Sequence, residues 1–260
     1  MKQKRFILSE NEIPTKWYNI QADMPNKPMM PLNPATKQPL TVDDLAHIFS
    51  RECSKQELDT VNAWIDIPDE VLDKYRYYRA TPLVRAYALE QALGTPAHIY
   101  FKNESVNPLG SHKVNSAIPQ CYYCKEEGTT NVTTETGAGQ WGAALSYAAS
   151  VYGLSAAVYQ VKISMQQKPY RSSIMRTFGA AVTGSPSMST RAGKDIITRD
   201  PMHPGSLGTA ISEAIELATT TPHCKYTLGS VLNHVALHQT IIGLEAEKQM
   251  EMAGEYPDTV

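Results

Sequence analysis

Cysteine is scarce in this chain, with four among 260 residues, at Cys53, Cys121, Cys124 and Cys224. Thiols so few and so irregularly spaced exclude a disulfide framework and predict a reduced, cytoplasmic protein. Cys121 and Cys124 form one Cys-x-x-Cys pair. No second pair or nearby histidine completes a zinc site, and thiols at i and i+3 of a helix pack as small hydrophobes. An excess of charge of either sign is also missing: 24 Lys and Arg stand against 26 Asp and Glu, for a net charge of −2. That leaves no basic stripe for nucleic acid and no polybasic run for a membrane surface. Charged residues together make up only 19%, below the usual quarter, which predicts surface covered by a partner or a second domain. Long hydrophobic runs are missing as well. The apolar run Phe6-Ile7-Leu8 near the basic start is too short for a signal peptide. The one long uncharged stretch, Gly142 to Val161, is dotted with serines and broken at Tyr152-Gly153-Leu154. It reads as a buried helix and then a buried strand, not a membrane span.

Proline is present, and much of it lies early: Pro14, Pro25, Pro28, Pro31, Pro34 and Pro39. With Trp17-Tyr18-Asn19 and Met29-Met30 as apolar anchors, residues 1–75 read as an arm docked on the rest; a mobile leader is the alternative. Within it Thr41 suits the N-cap of a helix over 42–49, with Asp43 and Asp44 in the favoured first turn. A second short helix is expected over 54–61. The run Lys74-Tyr75-Arg76-Tyr77-Tyr78-Arg79 reads as a partly buried connector with arginines stacked on tyrosines, or as a patch recognising an anion or a base. From Thr81-Pro82-Leu83 onward strands and helices alternate. Helices are expected over 86–93, 113–127, 140–152, 169–178, 190–198, 207–219 and 234–252. Strands are expected over 97–102, 131–134, 156–161, 180–183 and 224–228. This alternation predicts an α/β fold with a mostly parallel sheet covered by helices on both faces. Residues 200–205, Asp200 to Gly205, form an irregular loop that could lie over a site.

Two strand-to-helix turns between Phe101 and Gly142 carry the chemistry, and one parallel sheet is expected to present both at its ligand edge. In the first, a Pro-Leu-Gly turn leads to Ser111-His112-Lys113 at the opening of a helix. The helix dipole disfavours a cation there, unless the amine is neutral, paired or covalently engaged. A Schiff base to an aldehyde cofactor satisfies that requirement, and His112 could meet the cofactor phosphate at the same helix start. In the second turn Glu135 closes a strand and Thr136-Gly137-Ala138-Gly139 follows. Small residues let backbone N–H groups converge on an anion, and a lone carboxyl at a buried strand end suits a general acid or base. Taken singly, the lysine could equally be a solvated one, and Gly-Ala-Gly a tight turn. His234 and His238 are spaced i, i+4 as in a metal pair, but no third ligand is evident; core histidines are expected there, and no metal.

The two turns together resemble a known family. Lys102-Asn103-Glu104 followed by Gly110-Ser111-His112-Lys113-Val114-Asn115 is similar to the pyridoxal-phosphate lysine motif of the tryptophan synthase beta chain. Glu135-Thr136-Gly137-Ala138-Gly139-Gln140 is similar to its catalytic glutamate and substrate-carboxylate loop. The resemblance continues through Thr81-Pro82-Leu83, Gly205-Ser206-Leu207-Gly208, Gly229-Ser230 and Ile242-Gly243-Leu244-Glu245. The long N-terminal arm, Trp141 and Gln167-Lys168-Pro169-Tyr170-Arg171 point to the second subfamily. The resemblance implies a fold-type II pyridoxal-phosphate enzyme that makes L-tryptophan from L-serine and indole. It implies that Lys113 holds the cofactor and moves the Cα proton, and that Glu135 handles the proton of the departing hydroxyl. Thr136, Gly137, Ala138 and Gly139 would bind the serine carboxylate. His112, Asn115 and Gln140 would lie at the cofactor. Residues 76–260 would form the catalytic core of a cytoplasmic homodimer.

Two departures qualify these expectations. Leu207-Gly208-Thr209-Ala210 lacks the Lys-Asp pair with which the better-known subfamily meets an alpha chain, so alpha-chain docking is not expected. The family's Gly-rich phosphate loop is not found before Val260, so the chain reads as shortened within its second domain. The alternatives are a non-catalytic fragment that needs a partner chain, or another fold-type II enzyme such as a serine or threonine deaminase.

Overall fold

The computed structural model describes residues 3–260; Met1 and Lys2, the start of the expected arm, lie outside the described residues. Short strands β1 (Arg5–Phe6) and β2 (Lys16–Tyr18) open the chain. Helix α1 (Val42–Ala46) starts at Thr41 as its sequence predicts. The Thr41 hydroxyl accepts from the Asp44 N–H at 3.2 Å, and the Asp44 carboxylate accepts from the Thr41 N–H at 2.8 Å, which satisfies two orphan donors at once. Helix α2 (Arg51–Leu58) begins earlier than expected because Ser50 caps it. Strand β3 (Trp64–Asp66) pairs antiparallel with β2. Helix α3 (Asp69–Arg76), strand β4 (Leu83–Arg85), helix α4 (Tyr87–Leu93) and strand β5 (Tyr100–Lys102) follow. Gly94 ends α4 with a left-handed φ of 58°, which costs glycine little.

The second half alternates as expected: α5 (Val114–Glu126), β6 (Asn131–Thr136), α6 (Gln140–Tyr152), β7 (Ser155–Val161), then α7 (Lys162–Gln167) and α8 (Pro169–Thr177). It continues through β8 (Ala181–Ser185), α9 (Arg191–Arg199), α10 (Leu207–Thr220), β9 (Cys224–Tyr226) and α11 (Asn233–Ala253). Strands β8, β7, β6 and β9 form one parallel sheet in that order. Side chains alternate across a strand, so Val158 joins the core with α5 and α6 while Tyr159 and Val161 join Ala210 and Ala214 of α10. Both faces of the sheet are therefore covered, and α10 reaches β6, β7 and β9. The chain leaves β6 toward β7 but returns later to place β9 on the other side of β6. The crevice between the C-terminal ends of β6 and β9 is the switch point where open α/β sheets take ligands.

Three expectations need correction. The strand before the lysine is not in the parallel sheet. Residues 100–102 pair antiparallel with β4, which pairs with β1. Once Pro82 is passed, the backbone N–H and C=O groups of Leu83–Arg85 are free to pair, and they pair with β1 on one side and β5 on the other. Met29 and Met30 are not anchors: Met29 is 96% exposed, whereas Trp17 is fully buried. Trp17 sits in the main core, with its ring 4.6 Å from that of His238. Helix α7 was not foreseen. Among the described residues no helix is long and apolar enough to cross a membrane. All four cysteines are buried free thiols, and burial pushes Cys53 up to about 12 and Cys224 up to about 11.

The basic-aromatic run after α3 feeds a buried ion network. Arg79 is fully buried and binds Glu245 of α11 through two bonds, Nε to Oε1 at 2.6 Å and Nη2 to Oε2 at 2.7 Å. It also donates to Glu104 at 3.1 and 3.2 Å and to the Asn115 side-chain oxygen at 2.8 Å. Lys102 adds a second cation, 2.6 Å from Glu245, and donates to Gln249 at 2.8 Å. Two cations thus face two carboxylates, and the residues come from four stretches of the chain, at Arg79, Lys102 to Glu104, Asn115 and Glu245 to Gln249. Removing one partner of such a pair leaves a buried charge without compensation. Arg79→Met is expected to destabilise the fold by about 3–5 kcal/mol, while breaking the exposed Lys55–Glu52 pair costs under about 1 kcal/mol. Urea denaturation of the two variants checks the contrast.

Candidate active site

The crevice between β6 and β9 opens into two adjoining hollows. The inner one, about 240 Å³, is lined by Lys113, Glu135, Thr136, Gly137, Ala138, Gln140, Trp141, Leu207, Gly229 and Ser230. The outer one, about 260 Å³, is lined by His112, Lys113, Gly229, Ser230, Val231, Gln239 and their neighbours on α11. Lys113, Gly229 and Ser230 line both, so the lysine stands on the divide. The structure thus brings Lys113, Glu135, His112, Gln140 and the turn residues Thr136, Gly137 and Ala138 to one cleft.

Lys113 is placed by the turn before it. Asn107 binds this turn from inside, donating to the Ser111 carbonyl at 2.8 Å and accepting from the Ser111 N–H at 3.2 Å. Lys113 then occupies the N-cap position of α5 with helical φ and ψ. Its ammonium donates to the Gly229 carbonyl at 2.5 Å. Burial lowers its pKa, and the negative field of Glu135 opposes that only in part. Gly229 is held where it is by Trp141. A Cβ on Gly229 would come within 2.3 Å of the indole ring, so no side chain fits. The indole N–H donates to Thr134 at 2.7 Å, and Thr134 donates to the Thr227 carbonyl at 2.6 Å. Trp141 therefore fixes the loop whose carbonyl meets the lysine.

Glu135 is only 5% exposed near the end of β6. Burial raises its pKa, against the opposing hydrogen bonds from Tyr226 and Thr134 and the charge of Lys113. The Tyr226 phenol donates to the Glu135 carboxylate. The turn that follows is built on Thr136, whose hydroxyl accepts from the Gly142 N–H at 3.2 Å, and on Gly139, whose φ of 96° suits glycine. The structure does not bring two of the expected residues to the cleft wall. Gly139 faces Arg171, whose Cβ would lie 2.6 Å from an added Cβ. Asn115 is fully buried, its carboxamide taken by Arg79, Tyr78 and Glu104, and it reaches the outer hollow only through Gln239 at 3.4 Å.

His234 and His238 are core residues. His234 lies 2.8 Å from Glu57 and His238 2.9 Å from Gln56, which ties α11 to α2. Among the described residues no three His, Cys, Asp or Glu side chains gather around a point that could hold a metal ion. Sequence reasoning missed Tyr226 and the contact between Trp141 and Gly229. Tyr226 ends a three-residue strand, Cys-Lys-Tyr, with no motif, and its partner lies 91 positions earlier.

The cleft fits a pyridoxal phosphate group on two observations. Its lysine is half-buried with a lowered pKa, as an amine that reacts with an aldehyde requires. Two carboxamide atoms on its walls, Gln140 Oε1 and Gln239 Nε2, are buried without a hydrogen-bond partner, which polar atoms of a ligand would satisfy.

Comparisons with known proteins agree. The profile of the family described as pyridoxal-phosphate dependent enzyme matches residues 75–260. The tryptophan synthase beta chain 2 of Thermotoga maritima is 55% identical over 96% of this chain. That of Aquifex aeolicus is 54% identical over 99%, and that of Methanosarcina mazei 52% over 100%. The chain spans 59% of the length of each of these relatives. Among solved structures, a pyridoxal 5'-phosphate-dependent aspartate racemase is similar with a TM-score of 0.52 at 23% identity, over 70% of this chain and 50% of that one. Diaminopropionate ammonia lyase of Escherichia coli is similar with a TM-score of 0.53 at 18% identity, over 72% and 53%. At such identities these two likenesses concern the fold alone, and they bear out the fold-type II expectation.

The raised pKa of Glu135 has a thermodynamic sign. The folded state holds this proton more tightly than the unfolded chain, so stability is lost as pH rises from the ordinary glutamate value of about 4.3 through the folded value. Glu135→Gln removes that loss. Its Tm is expected to exceed that of the parent at pH 8, with the gap closing toward pH 4. A gap independent of pH would contradict the assignment.

Proposed function

The chain belongs to the family of pyridoxal-phosphate-dependent enzymes, and from that premise we propose that it is a lyase of the tryptophan synthase beta type. On this reading it joins L-serine and indole to give L-tryptophan and water. The observation that carries the reading is that one cleft holds both an amine whose pKa is lowered and a carboxyl whose pKa is raised. The 52–55% identity to three tryptophan synthase beta chains supports it.

Bound pyridoxal phosphate supplies an aldehyde that takes an amine and a ring that draws electrons from the adjacent carbon. The chain supplies the rest. Lys113, whose amine burial shifts toward its neutral form, would hold the cofactor and would then take and return the proton at the substrate Cα. Glu135, whose carboxyl burial shifts toward its protonated form, would deliver a proton to the departing serine hydroxyl and regain one from indole as its carbon attacks. Backbone N–H groups of Thr136, Gly137 and Ala138, where β6 turns into α6, hold the substrate carboxylate. Gly139 gives that turn its shape. His112 on the outer hollow would meet the cofactor phosphate, Gln140 and Gln239 would meet polar atoms of the cofactor, and Asn115 would act through Gln239. The walls of Trp141 and Leu207 shield the site from water.

Residues 76–260 serve as the catalytic core on this reading, with the arm packed on it. The first turn of α10, Leu207 to Ala210, carries no charge, which supports catalysis without an alpha chain docked there. A cytoplasmic homodimer completes the reading, and buried, unreactive thiols suit that compartment. Incubation of the chain with pyridoxal phosphate and serine, with and without indole, tests the activity. Tryptophan is expected only when indole is present, and Lys113→Ala is expected to lower its rate more than about a thousandfold. Pyruvate released at equal rates with and without indole, or no tryptophan at all, would overturn the reading.

A further inference from the structure

Behind Glu135, away from the cleft, stands a residue that neither motif contains. Tyr226 does not line either hollow. It is 3% exposed on β9, opposite Thr133 of β6 in the parallel register. That register brings its hydroxyl to the Glu135 carboxylate. Among the described residues, two titratable groups reach Glu135: Tyr226 from β9 and Lys113 from the start of α5. They act from different elements. Lys113 lines the cleft and its amine is committed to chemistry on the proposed reading, whereas Tyr226 is free to do nothing but hold the carboxyl.

Tyr226 is itself held by the N-terminal arm. Its backbone N–H donates to the Ile48 carbonyl at 2.9 Å. The Phe49 ring packs on its ring at 5.7 Å, tilted by 48°. Phe49 also meets His234 edge-on at 5.7 Å, and His234 is tied to Glu57 of α2. The segment between α1 and α2 thus backs the phenol, and the phenol backs the carboxyl. Burial and the nearby carboxylate push the phenol far above its ordinary pKa, so it remains a hydrogen-bond donor wherever Glu135 titrates.

We propose that Tyr226 is a positioning residue that aims the Glu135 carboxyl into the cleft and sets its proton affinity, and that Phe49 of the arm holds Tyr226 to that task. The proposal deepens the reading of Glu135 as the proton donor to the serine hydroxyl and rests on it. A donor to the ionised carboxylate stabilises the charged form. Tyr226 therefore opposes the burial that raises the Glu135 pKa. Without Tyr226 the carboxyl holds its proton to higher pH and loses its fixed direction. Ser172 of α8 donates to Gln160 of β7 at 2.8 Å, and this pair takes no part.

The experiment reads the carboxyl itself, in protein free of cofactor and substrate. With glutamate labelled at 13Cδ and tyrosine at 13Cζ, the Glu135 and Tyr226 resonances are assigned from Glu135→Gln and Tyr226→Phe. In the unmutated chain the Tyr226 signal is expected to step at the same pH as the Glu135 signal. A Tyr226 signal blind to that titration would overturn the proposal without any variant having to fold. In Tyr226→Phe the Glu135 midpoint is expected to rise by about one pH unit, the size of one charge-assisted hydrogen bond. In Phe49→Ala it is expected to rise by less. A midpoint unchanged or lowered in Tyr226→Phe would refute the role of Tyr226, and one unchanged in Phe49→Ala would refute that of the arm. The pH profile of kcat/KM for tryptophan formation separates the two readings. A profile that stays fixed in Tyr226→Phe while the NMR midpoint moves counts against Glu135 as the reaction's proton donor, and leaves the contact with Tyr226 standing.

Discussion

The pairing of Arg79 with Glu245 and Glu104 is the contact on which the placement of the site depends. Its members come from the end of the α3 region, from the segment after β5, from α5 and from α11, with Lys102 of β5 as the second cation. No apolar contact could join these segments so specifically, because each planar charge accepts only a matching partner at a matching angle. The network fixes the first turns of α5 through Asn115 and the middle of α11 through Glu245. Lys113 precedes α5 and Gln239 stands on α11, so the two walls of the outer hollow are set by one buried cluster of charge. The balance of two cations and two carboxylates keeps the cluster tolerable in a dry interior.

The site uses the opposite arrangement. Lys113 is half-buried and Glu135 buried, and burial drives each toward its neutral form. That weakens the fold near neutral pH and is what acid–base chemistry there requires, since a group that gives or takes a proton must be poised near the working pH. Trp141 connects the two demands. Its ring closes the inner hollow and allows only glycine at position 229, and so it decides where the carbonyl that holds the lysine lies. The cost of burying titratable groups falls on a few residues of the cleft, while the ion network, the capped helices and the buried Trp17 stabilise the rest.

Much of this was legible in the sequence, and for local reasons. The Thr41 cap, the Gly94 stop, the helix over 140–152 and the alternation around β6 and β7 rest on contacts within a few residues. The conjunction of the lysine and glutamate turns was legible because both are short, ordered motifs. What could not be read were contacts between distant segments. Thr81-Pro82-Leu83 marked only where the alternation begins, and the strand over Leu83–Arg85 shows only with β1 and β5 on either side of it. Arg79 looked like one member of a basic-aromatic run, although its partners lie 25 and 166 positions away. Tyr226 had no motif at all, and Asn115 sat inside one while its side chain faced the ion network and not the cleft.

The central claim is that Lys113 is the residue through which this chain holds its cofactor. The direct measurement is to saturate the 260-residue chain with pyridoxal phosphate, reduce with borohydride, digest, and locate the added mass by peptide sequencing in the mass spectrometer. The account predicts one cofactor per chain, fixed to the peptide that contains Lys113, with no labelling in Lys113→Ala. A label spread over surface lysines, or a label that persists at full yield in that variant, would contradict it.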